Sequence, residues 1–95
     1  MRRLVFRPEA ERDLYELHTF IAQDNLAAAD QFAERVERRC REIQTMPFAG
    51  RPRDRLKKGL RSVTFRNYII LYRVRNDAVV ILRVIHGRRR IEDQV

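Results

Sequence analysis

Arg61, Arg73 and Arg83, together with His86 and the following Gly87-Arg88-Arg89-Arg90, are the residues whose types and spacing could do chemistry. A guanidinium grips a phosphate or carboxylate through paired N–H donors, and an imidazole can take up or release a proton near neutral pH. Two kinds of function follow. One is a cationic surface that holds an anionic partner, either RNA phosphates or a carboxylate-rich segment. The other is an acid–base site acting on a bound phosphodiester. The plain structural alternatives are solvated strand ends for the arginines and a capping residue at the sheet edge for His86. Tyr68 and Tyr72, set among arginines, could stack on a base if exposed, but tyrosine in a half-buried strand reads first as packing.

The remaining candidates are weaker. Cys40 falls on the apolar side of a helical pattern, where a small hydrophobe belongs, and His18 borders another such stripe as a packing or rim residue. The chain has no Gly-rich phosphate loop, no His-Glu-x-x-His, no Gly-x-Ser-x-Gly and no His or Cys pair at metal spacing. Neither a metal nor a cofactor is expected.

The charge is regional. Residues 1–50 carry 8 Arg against 9 acids, a net of −1, whereas residues 51–95 carry 13 Lys or Arg against 4 acids, a net of +9. A field confined to one half implies an anionic partner more strongly than a uniform excess does. Of the 21 basic residues all but Lys57 and Lys58 are Arg, which suits bidentate contacts, although a GC-rich coding sequence also raises Arg.

With 44% hydrophobic residues and only 3 Gly and 3 Pro, the chain is too apolar and too regular to be disordered despite being 36% charged. Ninety-five residues suit one small core, so a single domain over 1–95 is expected. A lone cysteine excludes an intrachain disulfide and fits a reducing compartment. No apolar run suits a signal core, and none approaches the roughly 20 residues that span a bilayer. A soluble, cytoplasmic protein is therefore expected.

The elements that must position these residues follow from periodicity. Leu4-Val5-Phe6 is a short β-prone run ended by Pro8, which suits a helix's first turn. Glu9, Glu11 and Asp13 favour the helix start, and Ala10, Leu14, Leu17 and Ile21 recur at helical spacing, giving a helix over 9–23. After a break at Asp24-Asn25, Ala29, Phe32, Val36, Cys40 and Ile43 mark one face of a second helix over 26–46. The short connection predicts an antiparallel helical hairpin that needs a sheet to lie on. Residues 46–53, rich in Pro and Gly, form the main loop. Beyond it, Leu60–Arg66, Tyr68–Arg75 and Val79–Ile85 read as three strands with hairpin breaks near Asn67 and at Asn76-Asp77. Arg73 shares parity with Ile69 and Leu71, and Arg83 with Val79, Ile81 and Ile85, which suggests a cationic rim on the sheet. The result is an α+β fold of order β-α-α-β-β-β, with the hairpin packed on a small antiparallel sheet.

That order, the phrase Gly59-Leu60-Arg61, the run Asn67-Tyr68-Ile69-Ile70-Leu71-Tyr72-Arg73-Val74 and the close Val84-Ile85-His86-Gly87-Arg88-Arg89 resemble the RelE/ParE toxin superfamily. Pro8, the Ala10…Asp13-Leu14 spacing, Phe32 and Met46-Pro47…Gly50-Arg51 resemble its ParE branch. The resemblance implies a type II toxin neutralised by a small cognate antitoxin, with the possibility of a higher-order toxin–antitoxin assembly. ParE-like members are described as poisons of DNA gyrase, and RelE-like members cut mRNA on the ribosome, so the shared fold does not choose between them. On the ParE reading Arg61, Arg73, Arg83, His86, Arg88, Arg89 and Arg90 contact the target, and no residue is catalytic. On the alternative, Arg61 stabilises the phosphate and His86 acts as acid or base in a metal-independent endoribonuclease. The aromatic residue that often follows in such nucleases is absent after His86, which favours ParE. The antitoxin is expected over Leu14, Leu17, Phe20 and Ile21, with Phe20 off the main stripe and so a candidate exposed patch.

Overall fold

The computed structural model describes residues 1–95. Strand β1 (Arg3–Phe6) leads into helix α1 (Pro8–Ala22), and α2 (Leu26–Thr45) follows after a three-residue turn. A single 3₁₀ turn (Pro47–Ala49) and the short β2 (Arg51–Pro52) precede β3 (Leu60–Phe65), β4 (Tyr68–Val74) and β5 (Ala78–His86), and a last 3₁₀ turn covers Ile91–Asp93. The β-α-α-β-β-β order and the helical hairpin on a sheet are as the periodicity predicts.

Local chemistry explains the boundaries. Pro8 at the first helical position costs no hydrogen bond, because the N–H it lacks has no partner inside the helix. Asn25 caps α2, its Oδ1 accepting from the Ala28 N–H at 3.0 Å. The β3–β4 turn is two residues long, and Arg66 adopts a φ of 55° within it while its guanidinium lies over the Phe65 ring.

The sheet has the order β1-β5-β4-β3-β2. Pairing is antiparallel except at one edge, where β1 runs parallel to β5 with Val5 opposite Val80. Two features escaped the sequence reading. Residues 46–53 are not all loop, since Arg51 and Pro52 pair with Ser62 and Arg61 of β3. The strand parity assigned to Arg83 also fails, because Tyr72 pairs with Ile81 but Leu71 with Arg83, leaving Leu82 as the extra residue of a β-bulge. Ile81 and Val84 consequently both face the helices, while Ile85 faces away.

The main core lies between the helices and the sheet and includes Phe32, Val36, Cys40, Ile43, Ile70 and Tyr72. Leu4, Leu14, Leu17 and Ile21 close its margin. A second small cluster of Leu60, Leu71, Ile85 and Ile91 lies on the opposite face, where the C-terminal 3₁₀ turn folds back over the strands. Burying apolar area on both faces matters in a chain this short, where one thin core supplies little surplus stability. No helix is long and apolar enough to cross a membrane.

Candidate functional site

Arg88, Arg89 and Arg90 are exposed at the exit of β5. The turn that presents them is fixed at its root. Gly87 N–H donates to the Asn67 carbonyl at 2.6 Å, Arg89 N–H to the His86 carbonyl at 3.0 Å, and Arg88 N–H to His86 Nδ1 at 3.1 Å. His86 is half-buried, edge-on to Tyr68 with ring centroids 5.5 Å apart. Because Nδ1 accepts the Arg88 N–H, the neutral ring keeps its proton on Nε2. The imidazole orders the turn, while the guanidinium groups, apart from a long 3.5 Å contact between Arg90 and Glu92, are uncommitted.

Arg61 belongs to a different construction. Its Nη1 donates to the carbonyls of Phe48 at 3.1 Å and Gly50 at 2.8 Å, and its guanidinium lies 5.2 Å from the Phe48 ring centroid. Beside it the Tyr72 hydroxyl donates to the Pro47 carbonyl at 2.7 Å and accepts from Gly50 N–H at 3.0 Å. Burial pushes the Tyr72 phenol above its usual range, against the opposing pull of the Gly50 N–H. Tyr72 is thus a packing residue that pins the Pro47–Gly50 loop, and a side chain at Gly50 would collide with its hydroxyl.

Arg61 and His86 do not meet. Arg61 pairs with Tyr72 and His86 with Tyr68, four residues apart on β4, which is about 13 Å along the strand at roughly 3.3 Å per residue.

Arg83 is also committed. Its Nε and Nη2 hold both oxygens of Asp13 at 2.7 and 2.9 Å, and Nη1 donates to Gln94 Oε1 at 3.1 Å. Asp13 Oδ2 accepts in addition from Val84 N–H at 3.0 Å, on a stretch of β5 that has run beyond the end of β1. The Asp13 hydrogen bonds hold the Arg83 proton more firmly than usual despite its partial burial. Arg73, by contrast, lies on the face away from the helices with its Nε buried and unpartnered.

On the helical hairpin, Phe20 is 70% exposed and Leu26 61%, so an apolar patch stands at the hairpin tip. Leu14, Leu17 and Ile21 are half-buried against the core and show only their outer edges. Cys40 is fully buried, and burial pushes its thiol up to about 12. His18 sits at the hairpin rim and joins α1 to α2 through Asp30 at 2.8 Å.

A family model described as ParE toxin of type II toxin-antitoxin system, parDE, matches residues 4–91. The chain belongs to this family. It is a ParE-type toxin of a type II toxin–antitoxin system. Toxin ParE3 of Caulobacter vibrioides is 28% identical over 96 residues, a span covering 100% of this chain and 96% of that protein. A chain of the solved chromosomal ParDE system from P. aeruginosa shares the fold with a TM-score of 0.77 at 21% identity, covering 90% of this chain and 96% of that one. The family thus implies an antitoxin partner.

Proposed function

We propose that residues 1–95 act as one ParE-like domain that binds DNA gyrase without catalysing a reaction, blocks replication, and is neutralised by a cognate antitoxin. The observation that carries this reading is the separation of the two candidate chemical groups. Arg61 is engaged by the carbonyls of the Pro47–Gly50 loop, and His86 is engaged by the arginine turn about 13 Å further along the strand. General acid–base cleavage needs both groups within hydrogen-bond reach of one phosphodiester. A binding surface needs only accessible cations, and Arg88, Arg89 and Arg90 supply them on a turn braced by His86.

On this reading the target, and so the protein, is cytoplasmic. The antitoxin covers the hairpin tip around Phe20 and the exposed edges of Leu14, Leu17 and Ile21, and the pair can build a higher-order assembly. Neither a metal nor a cofactor takes part.

The test is a gyrase supercoiling and cleavage-complex assay titrated with the protein, run beside a translation reaction in which mRNA is probed for cuts in the ribosomal A site. Cleaved DNA accumulating over intact mRNA supports the proposal, and Arg88, Arg89 and Arg90 changed together to Ala should abolish the effect. Codon-phased mRNA cuts with normal supercoiling would replace it with the ribonuclease reading.

A further inference from the structure

The sheet face turned away from the helices carries a row of cross-strand neighbours, Val5 on β1, Val80 on β5 and Arg73 on β4. Over this row opens a groove of about 640 Å³. Val5, Val80 and Leu82 form an apolar floor, while Arg73 enters from β4, Arg75 from just beyond its end and Lys57 from the β2–β3 connection.

The state of these cations separates them from the other basic residues nearby. Arg83 is neutralised by Asp13, and Arg7 shares Glu9 at 3.8 Å. Arg73, Arg75 and Lys57 take part in none of the chain's ion pairs. Arg73 goes further, because its Nε is buried with no acceptor in the chain. A donor withdrawn from water without an acceptor is costly, by about 1–3 kcal/mol for a neutral group and more for a charged one. Rotation of the Arg73 side chain toward an oxyanion in the groove would remove that cost and form a charge-assisted hydrogen bond.

The ligand class follows from spacing and floor. Arg73 lies near the end of β4 and Arg75 just past it, two residues on and so about 7 Å away at strand spacing, and both line the groove. Two cations at a fixed repeat, with a third opposite them, suit a chain whose anions also repeat along its backbone. The Val5-Val80-Leu82 floor offers contact for sugar carbons between successive phosphates, while the polar side chains of the lining other than these cations, Gln94 and Glu9, are taken up by Arg83 and Arg7. We propose that this groove is a phosphate-binding site that holds the backbone of single-stranded nucleic acid without sequence preference. It is distinct from the Arg88–Arg90 turn and does not depend on gyrase being the target.

Fluorescence anisotropy with labelled DNA and RNA single strands of roughly 12 nucleotides, across a salt series and using the full chain, tests the site. Each phosphate contact contributes about 0.7 to the slope of log affinity against log salt. Arg73→Gln, Arg75→Gln and Lys57→Gln together should therefore flatten the slope by about 2 and weaken binding at least tenfold. Arg75 and Lys57 are exposed, so the double variant Arg75→Gln/Lys57→Gln keeps the fold and should flatten the slope by about 1.4. Changing Arg88, Arg89 and Arg90 to Gln should leave the groove's share intact. Wild-type affinity and slope in the double variant would overturn the proposal. So would displacement of the oligonucleotide by a poly-glutamate peptide of equal charge at the same or lower concentration than unlabelled oligonucleotide, since the groove would then prefer carboxylates.

Discussion

Replacing Asp13 by Ala should be among the most damaging single changes in this protein, although the residue lies in the first turns of a surface helix. The carboxylate accepts three hydrogen bonds, two from Arg83 and one from Val84 N–H. Both partners are largely withdrawn from water, with side chains 12% exposed for Asp13 and 21% for Arg83. Truncation leaves a half-buried guanidinium with Gln94 alone and a β5 edge N–H with no acceptor. A hydrogen bond to a charged group contributes about 1.5–3 kcal/mol, and an orphaned buried donor costs about 1–3 kcal/mol. The guanidinium borders the open groove and regains some water there, so about 3 kcal/mol is a fair total. In a domain of this size 1 kcal/mol shifts Tm by roughly 4–8 °C, and the loss should therefore be about 12–24 °C.

Thermal and urea unfolding of Asp13→Ala, Arg83→Met and the double variant form a cycle that isolates the pair. A coupling of at least about 1 kcal/mol is expected, with the double variant less destabilised than the sum of the single ones. Arg83→Met should destabilise as well, because it leaves the Asp13 carboxylate, only 12% exposed, with the Val84 N–H as its one remaining donor. The opposite pattern would refute the reasoning. If Arg83→Met left stability within about 0.5 kcal/mol of wild type and the cycle showed no coupling, Arg83 would be free to act as a target contact.

Further outcomes are expected at three places, the Tyr72–Gly50 contact, Cys40 and the α2 cap. Tyr72→Phe removes the hydroxyl that joins Pro47 to Gly50 and should cost about 1–3 kcal/mol in chemical unfolding; Gly50→Ala, which drives a methyl into that hydroxyl, should cost a similar amount by overpacking. The Cys40 thiol should resist a thiol-specific reagent in the native state at pH 8 and react only as the chain opens. Its raised pKa also links stability to pH: the contribution is complete below the ordinary thiol value of 9.0 and is lost as pH rises toward about 12, with a slope of up to about 1.4 kcal/mol per pH unit that Cys40→Ala should remove. Asn25→Ala deletes the α2 cap and should lower stability by about 1 kcal/mol, read as a fall in Tm of roughly 4–8 °C.

The helices were legible because their apolar residues recur every three or four positions, and every member of the Ala29-Phe32-Val36-Cys40-Ile43 row is buried. The exposure of Phe20 was legible for the same reason, as it breaks the stripe of α1. Strand-level detail was less accessible. A β-bulge is a property of two strands in register, and nothing in Val79–Ile85 alone marks Leu82 as the extra residue that rotates Arg83 away from its apparent row. β2 is two residues long and carries no periodicity at all. The commitments of individual cations were equally hidden. Arg61, Arg73 and Arg83 look alike in sequence, yet one holds loop carbonyls, one carries an unpartnered Nε and one is neutralised by an acid 70 residues away. A helical acid little more than one turn after Pro8 was visible, but its partner could be known only once α1 lay against β5.

The pattern of ion pairs explains how the charge asymmetry of the sequence survives folding. If the acids of residues 1–50 reached across to the cations of residues 51–95, the +9 of the second half would be largely cancelled. They do so once, at Asp13–Arg83. Arg7–Glu9, His18–Asp30, Arg39–Glu42, Arg41–Glu37 and Arg90–Glu92 each close within one half, and Arg3–Asp77 joins a first-half cation to a second-half acid. Glu42 and Glu37 are taken up by helical arginines at i,i+3 and i,i+4, and Glu11, Glu16 and Glu34 pair with nothing, so the sheet cations are left alone. Two groups of cations outside any ion pair then stand apart along β5, Arg73, Arg75 and Lys57 in the groove beside its first half and Arg88 and Arg89 at its exit. Like charges held apart on a rigid strand repel less than the same charges in one cluster, so the fold can keep both sites cationic at small cost to its stability.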